Sequence, residues 1–77
     1  MKILEQHKQE IQQMIESMTS GSEMLLKDIY KKYEKMYPVY SVYEEVQRVL
    51  KLNLRRYKFF KRDNLLQSII GRVEDYV

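Results

Sequence analysis

The chain has 77 residues, no cysteine, one histidine and a formal net charge of +3. Its length predicts one small domain, residues 1–77, that buries only about 60% of its unfolded surface. The missing cysteines exclude disulfides and thiolate metal sites, and one histidine is too little for a zinc site. We therefore expect no cofactor and no metal. The chain shows neither a signal peptide nor a run of roughly 20 apolar residues, so we expect a soluble, cytoplasmic protein without membrane contact.

Residues 2–18 are predicted to form an amphipathic helix. Its apolar stripe recurs at intervals of three and four positions: Leu4, His7, Ile11, Met14 and Met18. The same spacing is that of a heptad seam, so the helix could pack on its own domain or on a second copy. Because two heptads are short for a coiled coil, we favour packing within the domain. A homodimer through helix 2–18 is the alternative.

Residues 19–22, with the sequence TSGS, are the clearest break in the chain. Ser20 and Glu23 have the spacing of a capping box, which predicts the start of a second helix. That helix is predicted to continue to about Met36, with residues 24–26 as an alternative short strand. A Tyr-Pro pair ends it, because the residue before proline is disfavoured in the α region.

A third helix is predicted from Ser41 to about residue 53, with a second capping box formed by Ser41 and Glu44. Its buried face consists of apolar side chains at helical spacing: Val42, Val46, Val49 and Leu50. A polar ridge faces the other way: Gln47, Arg48, Lys51 and Arg55. Three helices with short connections, the last with a basic ridge, are typical of helix-turn-helix domains.

The charge is concentrated in one interval. Seven of the fourteen basic residues lie between Arg48 and Arg62, where no acidic residue occurs, so the interval carries +7. The remaining seven basic and eleven acidic residues give the rest of the chain −4. Such concentration favours a polyanion as partner, because neutralised phosphates release condensed counterions. The alternative is a solvated helix face without a partner.

Residues 63–77 fit two structures. As a helix, they have a regular apolar stripe from Leu65 onward, with Gly71 as an unfavourable interior residue. As a β-hairpin, residues 66–70 form one strand, Gly71 lies at the turn and residues 72–77 form the return strand. Local signals favour the helix.

From Gln9 onward the chain resembles the winged-helix domains that accompany some restriction endonucleases and phage or bacterial DNA-binding proteins. The resemblance lies in the segment LLKDIYKKYEKMYP, in a recognition helix like EEVQRVLKLN and in Phe60 ahead of an aspartate-led strand, Asp63–Ile69. Gly71–Val77 is similar to the closing strand of that family.

This resemblance implies a mainly α fold with a small β-hairpin, a winged helix-turn-helix; the alternative is an all-α bundle of four helices. The chain differs from the family at Val73, where a larger aromatic is usual, and at residues 54–57, where a serine-rich loop is usual.

The chain contains no recognisable catalytic constellation: its two glycines are isolated, and its histidine lies on an apolar stripe. We therefore expect a small DNA-binding protein rather than an enzyme, a transcriptional regulator or accessory factor whose partner is double-stranded DNA. Helix 41–53 would enter the major groove and segment 55–62 would hold phosphates. The predicted DNA-binding residues are Gln47, Arg48, Lys51, Arg55, Arg56, Lys58, Lys61 and Arg62. The alternative is an all-helical protein-interaction or dimerisation module that does not bind nucleic acid.

Overall fold

Within residues 2–76, three helices form where apolar residues recur every three or four positions, and three short strands form a sheet beside them. In a computed structural model that describes residues 2–76, the helices are α1 (Glu5–Glu16), α2 (Leu26–Tyr30) and α3 (Val39–Leu52). The strands are β1 (Glu23–Leu25), β2 (Tyr57–Phe60) and β3 (Ile69–Arg72), and 3-10 turns occupy Leu65–Gln67 and Val73–Tyr76. Within residues 2–76, no helix is long and apolar enough to cross a membrane.

The start and the length of the second helix differ from the prediction. The Ser20–Glu23 capping box is not formed, because the Ser20 hydroxyl donates to Asp75 at 2.9 Å. Residues 23–25 form β1 instead, which confirms the strand alternative, and the Leu25 amide donates to Asp28 at 3.0 Å at the start of α2. After five residues α2 gives way to consecutive turns over residues 31–36.

The third helix begins before its predicted start. Pro38 has the extended backbone of an N-cap residue and α3 follows at Val39, so Ser41 lies inside the helix and the second capping box is wrong. Proline suits this position because it lacks the amide that a helix start leaves unpaired. The predicted buried face is confirmed: Val42, Val46 and Val49 are at most 1% exposed.

The strand order is β1-β3-β2, and both pairings are antiparallel. The predicted pairing of residues 66–70 with residues 72–77 is wrong. Instead β3 pairs with β2, which lies before the connection 61–68, and Gly71 lies within β3 rather than at a turn. Val77, the last residue of the predicted return strand, lies outside the described residues. The tail is not the long helix that local signals favoured, and the mixed α/β structure does not favour the four-helix bundle.

The core lies between the three helices and one face of the sheet. It contains Ile11 and Ile15 of α1, Leu26 and Ile29 of α2, and Ile70 of β3, all at most 1% exposed. Ile11 is part of the apolar stripe of α1, which packs on its own domain as we favoured. A dimer through that stripe is therefore unsupported.

Tyr37 connects α1 to the segment before α3. Its hydroxyl lies 2.7 Å from His7 Nδ1 and accepts a hydrogen bond from the Leu4 amide at 3.1 Å. The Tyr30 hydroxyl donates to the Tyr37 carbonyl at 2.7 Å. The histidine therefore belongs to the edge of the core, where its ring also packs 5.3 Å from that of Tyr33.

The sheet face away from the helices is covered by Tyr76, which follows β3. Tyr76 donates a hydrogen bond to Glu23 of β1, and its ring centroid lies 4.9 Å from that of Phe60 of β2. Its ring crosses Gly71, where a Cβ would lie 2.5 Å from the tyrosine hydroxyl. Glycine is thus required here by the close approach of an aromatic ring.

We predict that Gly71→Ala destabilises the protein by about 1 kcal/mol, because the methyl group displaces Tyr76 from its contacts on β1 and β2. In a Tyr76→Ala background the same change should instead stabilise by about 0.5 kcal/mol, because alanine restricts the unfolded chain. Urea denaturation of the four proteins measures both effects. Equal effects in the two backgrounds would contradict the close approach.

Candidate nucleic-acid interface

Some of the predicted DNA-binding residues meet on the exposed face of α3. Because the valines of α3 face the core, the residues between them turn outward and line a shallow cavity of about 380 Å³. The lining residues are Tyr40, Tyr43, Glu44, Gln47, Arg48 and Lys51. Three of the eight predicted DNA-binding residues are therefore brought together on one helix face.

Arg48 is held by a neighbour on its own helix. Its Nε donates to Glu45 at 2.8 Å, and its Nη2 donates to the same carboxylate oxygen. The Glu45 side chain is only 6% exposed, whereas that of Arg48 is 46% exposed. This hydrogen bond raises the pKa of Arg48 above its usual value. The Arg48 guanidinium therefore neutralises the nearly buried Glu45 carboxylate. It would have to leave this carboxylate to contact a DNA base.

Gln47, unlike Arg48, has a polar side-chain atom without a hydrogen-bond partner in the described chain. Its Nε2 atom is buried and has no hydrogen-bond partner among the described residues, although the residue lines the cavity. Buried amide donors are almost always paired in folded proteins, so this group is a candidate for a partner from outside the chain.

The loop after β2 meets α3 through aromatic contacts. Lys61 Nζ lies 5.9 Å from the ring centroid of Tyr43, a cation–π distance. The Tyr43 ring in turn lies 5.7 Å from Tyr40 and 5.9 Å from Phe59 of β2. These contacts place one of the basic residues of the loop beside the exposed face of α3.

Ser68 holds that loop in place. It is fully buried, and its hydroxyl accepts from the Arg62 amide at 3.0 Å. Its carbonyl accepts from the Leu26 amide at 2.9 Å, which ties the loop to the start of α2. The backbone position of Arg62 is therefore determined by the core, while its side chain remains exposed.

The N-terminal segment borders the other side of α3. Lys2 and Lys8 line a cleft of about 260 Å³ together with Ser41, Glu44 and Arg48. Sequence reasoning missed both lysines, because they lie some 40 positions from α3 and only the packing of α1 on α3 brings them close. The signal available in the sequence was the place of Lys8 on the polar side of α1.

The other predicted site residues lie apart from this surface. Arg55 is not on the ridge of α3, because the helix ends at Leu52 and residues 53–56 form turns. Arg56 is exposed in the same turn segment. Lys58 pairs with Gly71, so its side chain lies on the sheet face away from the helices. Within residues 2–76, no group of three or more candidate ligands could hold a metal ion.

We predict that Arg48→Ala lowers the free energy of unfolding by about 2 kcal/mol, because it leaves the Glu45 carboxylate without its charged partner. Lys51→Ala, three residues further along the same face, should change it by less than about 0.5 kcal/mol. Urea denaturation followed by circular dichroism separates the two. Equal stability of both variants would show that the ion pair is unimportant.

Comparisons of this chain with protein-family models, with curated proteins and with solved structures found no match.

Proposed function

We propose that the protein binds double-stranded DNA as a winged helix-turn-helix domain, with α3 in the major groove and the β2–β3 hairpin as the wing. The observation that carries the proposal is the contact of Lys61 with Tyr43, which joins the hairpin loop to the exposed face of α3. The order α1-β1-α2-α3-β2-β3 supports it, because it places an exposed helix beside a hairpin.

Three side chains on the middle and last turns of α3 suit the base edges. The Gln47 amide can donate to and accept from adenine, and its Nε2 has no partner among the described residues; Lys51 can donate to guanine. Glu44 would repel phosphates, but at the floor of the groove a carboxylate accepts from cytosine. An acidic residue in the centre of a basic surface therefore favours sequence preference over uniform phosphate binding.

Basic residues on both sides of α3 suit the two phosphate backbones. Lys61 and Arg62 lie on the hairpin side, and Lys2 and Lys8 lie on the α1 side. Such contacts position a helix in the groove but carry no base information. We also propose that the protein regulates transcription through this binding.

We predict that a duplex of about 20 base pairs binds with an affinity that falls steeply between about 50 mM and about 200 mM salt, as counterion release requires. Fluorescence anisotropy across that range gives the slope of log affinity against log salt. Binding that is undetectable at the lower salt concentration, or insensitive to salt, would reject the proposal.

We further predict that Lys61→Ala weakens duplex binding and reduces the salt slope by about one unit, because one phosphate contact is lost. Lys58→Ala is the matched control: it removes the same charge from the same hairpin, but on the opposite sheet face. In anisotropy titrations the Lys58 variant should keep nearly the duplex affinity and the salt slope of the unmodified protein. An equal loss in both variants would mean that only the net charge matters.

A further inference from the structure

The last residue of α3 and the turn that follows the helix expose two leucines. Leu52 and Leu54 are each 70% exposed, the highest values among the large apolar residues of the described chain. Single exposed leucines are ordinary, but two that lie two positions apart at the end of a helix form an exposed apolar pair. We call residues 51–56 the leucine knuckle. Phosphate binding does not require these side chains, so the DNA proposal leaves them unexplained.

The knuckle is also strongly basic. Lys51, Arg55 and Arg56 flank the two leucines, and all three are exposed. None of them takes part in the ion pairs found within residues 2–76, which join Lys32 to Glu10, Arg48 to Glu45 and Arg72 to Glu74. A fitting partner therefore offers an apolar cavity with acidic walls.

This chain has such a cavity between α1 and α2. Its volume is about 500 Å³, within the usual range for binding pockets. Apolar side chains that belong to or pack against the core line it: Met14, Met24 and Ile29. Methionine side chains adapt to irregular apolar partners. We call this cavity the methionine groove.

Two carboxylates stand at the walls of the methionine groove. Glu10 accepts from the Tyr33 hydroxyl at 2.7 Å, which lowers the pKa of Glu10 and keeps it ionised at neutral pH. Asp28 lines the α2 side. Lys32 Nζ lies 3.6 Å from Glu10, so the groove carries a net −1 from these three groups, against +3 at the knuckle.

We propose that the leucine knuckle of one copy binds in the methionine groove of a second copy. The two surfaces are complementary in polarity and in charge, with leucine against methionine and arginine against carboxylate. They share no residue, so two copies either exchange both contacts and close as a dimer, or leave one knuckle and one groove open for a further copy. In either arrangement self-association should grow with concentration.

Two variants separate the surfaces. Leu52→Asp with Leu54→Asp disables the knuckle, and Gln13→Lys with Ser17→Lys adds positive charge at exposed positions of the groove wall. Because the first pair is exposed and the second lies near the C-terminus of α1, both variants should fold. Circular dichroism and thermal unfolding check this. Leu4→Asp is the control, since Leu4 is 59% exposed and lies outside both surfaces.

Sedimentation velocity without DNA, from about 10 µM to about 1 mM, tests the proposal over the range of weak contacts. The unmodified protein and Leu4→Asp should sediment faster as concentration rises, and higher salt should weaken the association. Each double variant should associate at least about tenfold more weakly. An equimolar mixture of the two should form a 1:1 dimer and nothing larger, because it contains one intact knuckle–groove pair.

Several results would overturn the proposal. These are a monomeric unmodified protein across the concentration range, an equimolar mixture that stays monomeric, or dimers that survive both double variants. Co-sedimentation of a monomeric protein with phosphatidylcholine–phosphatidylserine vesicles, lost on Leu52→Asp with Leu54→Asp, would assign the knuckle to an anionic lipid surface instead.

Discussion

Ile70 is fully buried in the central strand. Its cross-strand neighbours are Met24, which lies between α1 and α2, and Phe59, which follows α3. The sheet cannot form until the tail is in place, because among the described strands β1 and β2 each pair with β3 and not with each other. Contacts after β3 strengthen this dependence: Asp75 accepts from the Gly21 amide at 2.8 Å, and Tyr76 donates to Glu23. The last described residues thus hold the linker between α1 and α2. In a domain this small, such long-range pairing carries much of the stability.

The pairing of β2 with β3 also divides the basic interval. Side chains of a strand alternate between the two faces of a sheet, so Phe59 points toward Tyr43 of α3 while Lys58 points away. The loop that follows returns Lys61 to the α3 side. A run of +7 in the sequence is therefore divided in the fold among a helix face with its hairpin loop, an apolar-basic knuckle that shares Lys51 with that face, and one lysine on the far side of the sheet.

The spacing of apolar residues predicted which helix faces are buried. The buried valines of α3 and the packing of α1 followed from apolar spacing, because a helix that buries one stripe shows it in sequence. The pairing of β2 with β3 did not, since residues 57–60 lie in the basic interval and Gly71 looks like a turn residue until Tyr76 is seen across it. The Glu45–Arg48 pair was predictable in principle: Glu45 precedes Val46 on the buried side, three positions before a basic residue. The position of Lys2 and Lys8 beside α3 depends on tertiary packing, which the spacing of residues does not reveal.

Position in the sequence assigned Arg48 and Lys51 to the major groove and residues 55–62 to phosphates, whereas in the fold neighbouring groups decide what each cation does. Arg48 is the clearest case, because releasing it toward DNA would leave a carboxylate that is 6% exposed without its partner. That cost, of the order of 1–3 kcal/mol, would offset most of the gain from a bidentate guanine contact. Gln47 carries no such cost, since its Nε2 has no partner to lose within residues 2–76. Base preference on this helix should therefore come from uncharged and acidic side chains more than from its arginine.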